Sequence, residues 1–306
     1  FHWRWIFWIN IPISLLGVAL ATIYIPDVRE EHRPPFDVAG FALIGIGLSS
    51  LIFGFSAAGR GVIAGSLDAG LIGLGFVCLG LYARHALRAE HPILDVRLFQ
   101  FPTFRASVAG GLLFRMGIGA TPFLLPLLFQ MSFGLTPFQS GALTFVSTLG
   151  AMAMKPTAGP ILKMFGFRNV LMFNALLSTC FFLANCLFQA STPHAVVVAV
   201  LLAGGFFRSL EFTAINAVAF AEVPDRLMSH ATSLSAAVQQ LSLSVGVTLG
   251  AGALEIARAA HGAGQDLQTA DFTPAFLTVA FVSAVSVLFF MRLAPDAGAE
   301  LSGKRR

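Results

Sequence analysis

Five polar side chains stand inside long apolar runs of this 306-residue chain: Arg115, Lys155, Arg208, Glu211 and Gln240. A charged residue near the centre of a bilayer-spanning helix costs about 2.5–3.5 kcal/mol on insertion scales, so such groups by default mark functional positions. The chemistry open to them is narrow. Arginine and glutamate can pair, and a carboxylate held in low dielectric can take up and release a proton. Arg208 and Glu211 are three positions apart, share one helix face and can pair, for structural reasons or as a titrating couple. Arg115 has Gly111 and Gly119 one turn to either side, with Pro122 and Pro126 beyond. Small neighbours leave room for the guanidinium and let another helix approach. Prolines free backbone carbonyls and kink a membrane helix, typically where it lines a cavity. Lys155 lies eight positions before Lys163, about 12 Å along a helix, so snorkelling to the interface is a second reading for it.

Gln240 belongs to a stripe. Ser233, Ala237, Gln240, Ser244 and Thr248 follow the helical repeat down one side of residues 230–257, and Leu234, Val238, Leu241, Val245 and Leu249 follow it down another. The first stripe is expected to face protein or a watery path and the second lipid. Gly246 and Gly250 form GxxxG, a weak packing signal in a chain with 30 glycines. No HExxH, GxSxG, P-loop or GxGxxG pattern occurs, so neither enzyme chemistry nor a cofactor is expected. Three cysteines without CxxC spacing (Cys78, Cys180, Cys186) argue against zinc and against a disulfide framework, and read as packing residues. The seven histidines are scattered, with His91 and His230 near expected interfaces, and read as solvated loop residues.

The elements that must position these residues are membrane helices. The chain is 56% hydrophobic and 11% charged, against about 25% charged in an ordinary soluble domain. Nine segments are long and apolar enough to cross a bilayer: 5–25, 38–58, 68–87, 104–129, 139–162, 169–189, 195–221, 230–257 and 273–293. They are too long for barrel strands, so an all-α polytopic bundle is expected. With the C-terminus in the cytoplasm, thirteen Lys and Arg fall on the inside, Arg29, Arg33, Arg84 and Lys304–Arg306 among them, and only Arg4, Arg60 and Arg258 fall outside. The net charge of +4 therefore reads as topology signals in loops, with no nucleic-acid face. The partner implied is the lipid bilayer. The chain opens on Phe1 within an aromatic cluster, Trp3, Trp5, Phe7 and Trp8, and is expected to be the later part of a longer protein.

The stretch Trp3-Arg4-Trp5-Ile6-Phe7-Trp8-Ile9-Asn10-Ile11-Pro12 resembles the entry to the sixth helix of the major facilitator superfamily, in its fourteen-helix drug–proton antiporter branch. Pro122–Leu127, Phe207–Thr213 and Gln239–Ser244 resemble bacterial members of the same branch. The resemblance implies the sixth helix at 1–25, a linker at 26–103 carrying two inserted helices (38–58 and 68–87), a six-helix C-terminal half at 104–293 and a cytoplasmic tail at 294–306. It also implies a multi-pass carrier of the bacterial inner membrane that exchanges protons for hydrophobic compounds, with an organic anion or metabolite as the alternative substrate. A membrane protein with a structural or sensory role and no transport is the alternative of another class. Arg115, Arg208, Glu211, Gln240 and Lys155 are the expected substrate or coupling residues. Residues 159–168 resemble the degenerate second copy of the family's cytoplasmic loop motif, keeping Gly159, Gly166 and Arg168 but placing Lys163 where an acid is usual. Relatives in double-membrane bacteria work with a periplasmic adaptor, although no docking element for one is recognisable here.

Overall fold

The computed structural model describes residues 4–24, 36–58, 65–90, 92–261 and 267–302. Trp3, Ile25, Arg29, Arg33, Arg60, His91 and Lys304–Arg306, which entered the sequence reading, lie outside them. Two units are distinct, 1–36 and 37–306. The first holds α1 (Trp5–Tyr24), which is apolar around its whole circumference and carries Pro12 within it. A helix of that kind belongs in lipid or in a large core.

The second unit opens with a helical hairpin, α2 (Val38–Ala58) and α3 (Gly65–Ala86). Asp37 starts α2 by accepting from the Gly40 amide at 2.8 Å, satisfying one of the free N–H groups of a helix start. The connection that follows includes a 3-10 turn at Val96–Gln100 and leads to α4 (Pro102–Leu127), which has proline in its first turn and continues into a π-helical turn at Leu128–Ser132. Next come α5 (Pro137–Met154), a 3-10 turn at Lys155–Thr157, α6 (Ala158–Phe165) and α7 (Phe167–Asn185). The remaining elements are α8 (His194–Ala219), α9 (Met228–His261), α10 (Thr269–Phe290) and the short α11 (Ala299–Ser302). Among the described residues α4 packs on α8, α9 and α10, α5 packs on α8, and α7 packs on α8 and α10. The α2–α3 hairpin reaches this bundle through α9.

Among the described residues eight helices are long and apolar enough to span a membrane, α1 to α4 and α7 to α10. The ninth expected span, 139–162, is interrupted. Pro156 has no N–H to give the preceding turn, and the chain tightens into 3-10 geometry at Lys155–Thr157 before resuming as α6. The start of α5 is set by a capping box, Thr136 accepting from the Gln139 amide at 3.3 Å while the Gln139 carboxamide accepts from the Thr136 amide at 3.0 Å.

Close helix approach holds the bundle together. A Cβ on Gly119 would lie 2.3 Å from the Leu243 carbonyl oxygen, and one on Gly246 would lie 2.1 Å from that of Met116, so α4 and α9 meet backbone to backbone. The α5–α8 crossing is built the same way. A Cβ on Gly150 would lie 2.0 Å from the Leu202 oxygen, and one on Gly205 would lie 2.0 Å from that of Ser147. Outside these contacts the bundle presents large apolar side chains, Phe41, Phe76, Phe173 and Phe281 among them. A continuous coat of this kind suits lipid.

Two residue classes behave differently from expectation. Leu234 and Val238, assigned to a lipid stripe, pack instead against the core formed by Leu98, Phe104 and Ala219. Two histidines are structural links. His85 lies 2.9 and 3.0 Å from the two Asp37 carboxylate oxygens, and His230 Nδ1 lies 2.8 Å from the Ile93 carbonyl oxygen. All three cysteines are free; Cys78 is buried, but Cys180 is exposed and so is no core-packing residue.

Candidate functional site

Arg115 sits near the middle of α4 and is 1% exposed. Gly111 provides the space beside it, since a Cβ there would come within 2.8 Å of Nη1. Its Nη2 donates to the Asn216 Oδ1 on α8 at 2.8 Å, and the guanidinium lies 5.3 Å from the Phe212 ring centroid. Stacking of this kind suits a planar cation. Nε of Arg115 is buried without a partner.

Arg208 projects from α8 toward α5. It donates to Ser147 Oγ, and its guanidinium lies 5.9 Å from the Phe182 ring centroid. The Gly205–Ser147 approach one turn earlier brings the two helices close enough for this bond. Arg208 lines two adjoining hollows of about 450 and 230 Å³ between α4, α5 and α8, both also lined by Ile118, Ser147 and Thr148. Pro122 and Pro126 line the larger and Phe212 the smaller. The combined volume is in the range of small-molecule sites. Neither hollow has an acidic residue in its lining.

The Arg208–Glu211 pair that the spacing allows is not formed among the described residues. Glu211 turns toward α7, where Asn174 Nδ2 donates to Oε2 at 3.0 Å. Three helical positions place two side chains about 60° apart around the axis. That separation is enough for one to enter the α5 side of α8 and the other the α7 side. Glu211 is fully buried, and its Oε1 has no partner.

The other candidates are dispersed. Gln240 is exposed on α9, and neither hollow includes it, so the polar stripe it belongs to is not a buried path at that point. Lower in the same stripe Thr248 donates to the Phe55 carbonyl, which joins α9 to α2. Lys155 is exposed at the break between α5 and α6. Gly166 takes a left-handed conformation, φ 78°, at the α6–α7 junction, and Arg168 Nη2 donates to the Met291 carbonyl at the end of α10 at 3.2 Å. Gly159 has open space around its Cα. Arg168 ties the α6–α7 junction to the end of α10, and all three residues lie apart from the cleft. A larger hollow, about 900 Å³, separates this junction from residues 294–301 and is lined by Asn169, Glu222 and Asp296 among others. Sequence reasoning missed Ser147, Asn174 and Asn216, the neutral partners of Arg208, Glu211 and Arg115. A polar residue facing the helix that carries each charge was the available signal.

No group of three His, Cys, Asp or Glu side chains among the described residues could hold a metal ion. The fold and cleft define a polytopic helical membrane protein with a polar, cation-bearing hollow among its spans. The sequence profile of the Major Facilitator Superfamily matches residues 1–247 and, in an overlapping second match, 107–306. The chain belongs to that superfamily. It is 31% identical over 309 residues to MdtD of Escherichia coli O8 (strain IAI1), a protein named, provisionally, for multidrug resistance. It is 30% identical over 308 residues to the MdtD of Shigella sonnei (strain Ss046). In both alignments 99% of this chain is covered, and the chain spans 64% of the relative's length.

Proposed function

We propose that this chain forms the C-terminal part of an alternating-access carrier that exports hydrophobic or amphipathic compounds in exchange for protons. The observation that carries the reading is Arg208 standing in an open, hydroxyl-lined cleft between α4, α5 and α8 of a superfamily member. Carriers of inverted-repeat construction bind substrate near the bilayer midplane between two halves that rock against each other. In this reading the cleft is one half's contribution to that site, Arg115 and Arg208 line it or couple to it, and Glu211 is the titrating partner. The relatives named for multidrug resistance support export of drug-like compounds.

The fourteen-helix branch is part of the same proposal. Support comes from the α2–α3 hairpin, which precedes the six-helix half, and from the 64% share of the relatives' length. The proposed setting is the bacterial inner membrane with the C-terminus in the cytoplasm, supported by the Lys and Arg asymmetry. Protons are the proposed counter-substrate and a periplasmic adaptor the proposed protein partner, both on the strength of the branch resemblance.

The test is flux in proteoliposomes containing the native full-length protein. Export that rises with an imposed proton gradient, and that is abolished in Arg115→Ala and Glu211→Gln at unchanged expression, is the expected result. Normal export from both variants sinks the residue assignment. Absence of any flux points to the structural or sensory class.

A further inference from the structure

We infer that the α4–α5–α8 cleft takes an organic anion, an apolar body carrying a carboxylate, sulfonate or phosphate that docks on Arg208. The inference deepens the carrier reading and rests on it for its meaning as a substrate site. It starts from charge. Arg208 and Arg115 are brought to the same part of α8, the first lining the cleft and the second stacked on Phe212, which lines the smaller hollow. Among the described residues neither is joined to a carboxylate. Arg115 is met by the neutral carbonyl of Asn216, with Nε unpartnered, and Arg208 by the hydroxyl of Ser147. The nearest acid in sequence, Glu211, is committed to Asn174 on the far side of α8.

Two guanidinium groups without an anion, in surroundings of low dielectric, are an arrangement that a ligand charge completes. The donor geometry fits. A guanidinium has five N–H donors in a planar fork suited to two-point contact with an oxyanion. Among the described residues one hydrogen bond holds Arg208, that to Ser147. Ser147 accepts in it and so keeps its own hydrogen to donate, and Thr148 adds a second hydroxyl on the same lining. Thr121 and Thr144 also line the larger hollow, their hydroxyls donating to carbonyls of their own helices. The apolar part of the wall, Ile118, Pro122, Leu125 and Phe145, would cover a hydrocarbon or aromatic body. A cationic drug entering this cleft would meet like charge and no acid in its lining.

The experiment compares two probes of nearly the same shape, 8-anilinonaphthalene-1-sulfonate and its uncharged analogue N-phenyl-1-naphthylamine. Saturable, displaceable binding to the full-length protein in nanodiscs is followed by fluorescence, and flux of each probe is measured separately in proteoliposomes. The sulfonate is expected to bind at least tenfold more tightly than the neutral probe. Arg208→Gln should erase the difference, while Arg208→Lys, which keeps the charge and controls for folding, should retain part of it. Equal or weaker sulfonate binding overturns the inference. So does an Arg208→Gln variant whose sulfonate affinity stays within twofold of the parent, because the charge is then answered by a carboxylate elsewhere. Selective sulfonate binding without flux of either probe leaves the anion site standing and removes the carrier reading. Flux of the neutral probe without sulfonate selectivity does the reverse.

Discussion

Asn174 on α7 donates to Glu211 on α8 at 3.0 Å, and the same amide nitrogen lies 2.7 Å from the Phe207 carbonyl oxygen. One side chain thus fastens two helices and supplies the contact that the buried carboxyl makes. Replacing it by Asn174→Leu leaves Glu211 with neither oxygen bonded. A loss of about 1–3 kcal/mol is expected for a buried group left unsatisfied. Glu211→Gln keeps an acceptor oxygen for Asn174 and should fold. The pair of variants, compared by thermal unfolding in detergent, separates a structural glutamate from a working one. Equal melting temperatures for Asn174→Leu and the parent would remove the contact from the account.

The glycine crossings make a second prediction. Gly205→Ala and Gly246→Ala each place a methyl group 2.0–2.1 Å from a backbone oxygen of the facing helix. Backbone cannot step aside as a side-chain tip can, so an overpacking penalty of about 1–3 kcal/mol or more is expected. Gly252→Ala, with nothing within 4 Å of its Cβ, is the control and should melt with the parent. Gly205→Ala should also weaken ligand binding, because it pushes Ser147 away from Arg208.

A third prediction concerns pH. Burial alone would raise the Asp37 carboxyl, but the Gly40 amide, His85 and the Ile93 amide outweigh it and hold the group below its ordinary value of 3.8. A carboxyl depressed in the folded state contributes stability that is complete above its unfolded pKa and is lost as pH falls through the folded one. Between pH 7 and 5 this group should therefore leave the melting temperature unchanged. Below about 4 the parent should lose stability that Asp37→Asn, already lacking the charge, does not lose. Parallel acid titrations of melting temperature decide it, and identical slopes for the two proteins would contradict the assignment.

At the end of the bundle, Gly166→Ala forces a Cβ onto a backbone at φ 78° and ψ 156°, a region essentially confined to glycine, and should cost about 1–3 kcal/mol. Arg168→Ala removes the bond to the Met291 carbonyl. Limited proteolysis of residues 291–302 should become faster in both variants if the α6–α7 junction anchors that segment, and stay unchanged if it does not.

Most of the spans were legible because lipid imposes a single requirement, a long apolar run, which hydropathy reads directly. What surrounded each charge was not. Spacing put Arg208 and Glu211 on one face of a helix, but whether they meet depends on Ser147 and Asn174, which lie 61 and 37 residues away in sequence. The break at Lys155–Thr157 was concealed because apolar residues continue through Pro156. The role of Gly246 was hidden by abundance, since spacing in a chain with 30 glycines does not reveal which of them a carbonyl approaches. For Leu234 and Val238, a lipid-facing and a core-facing leucine stripe have the same composition. Only the neighbours distinguish them.

The α2–α3 hairpin is strapped to α9 at two levels, by Thr248 to the Phe55 carbonyl and by His230 to the Ile93 carbonyl just beyond α3. Eighteen residues separate the two straps, about 27 Å along α9. A body held at two such distant points cannot swivel about either of them. In any displacement of α9 the hairpin must travel with it as an outrigger, and freedom to pivot must reside elsewhere in the chain.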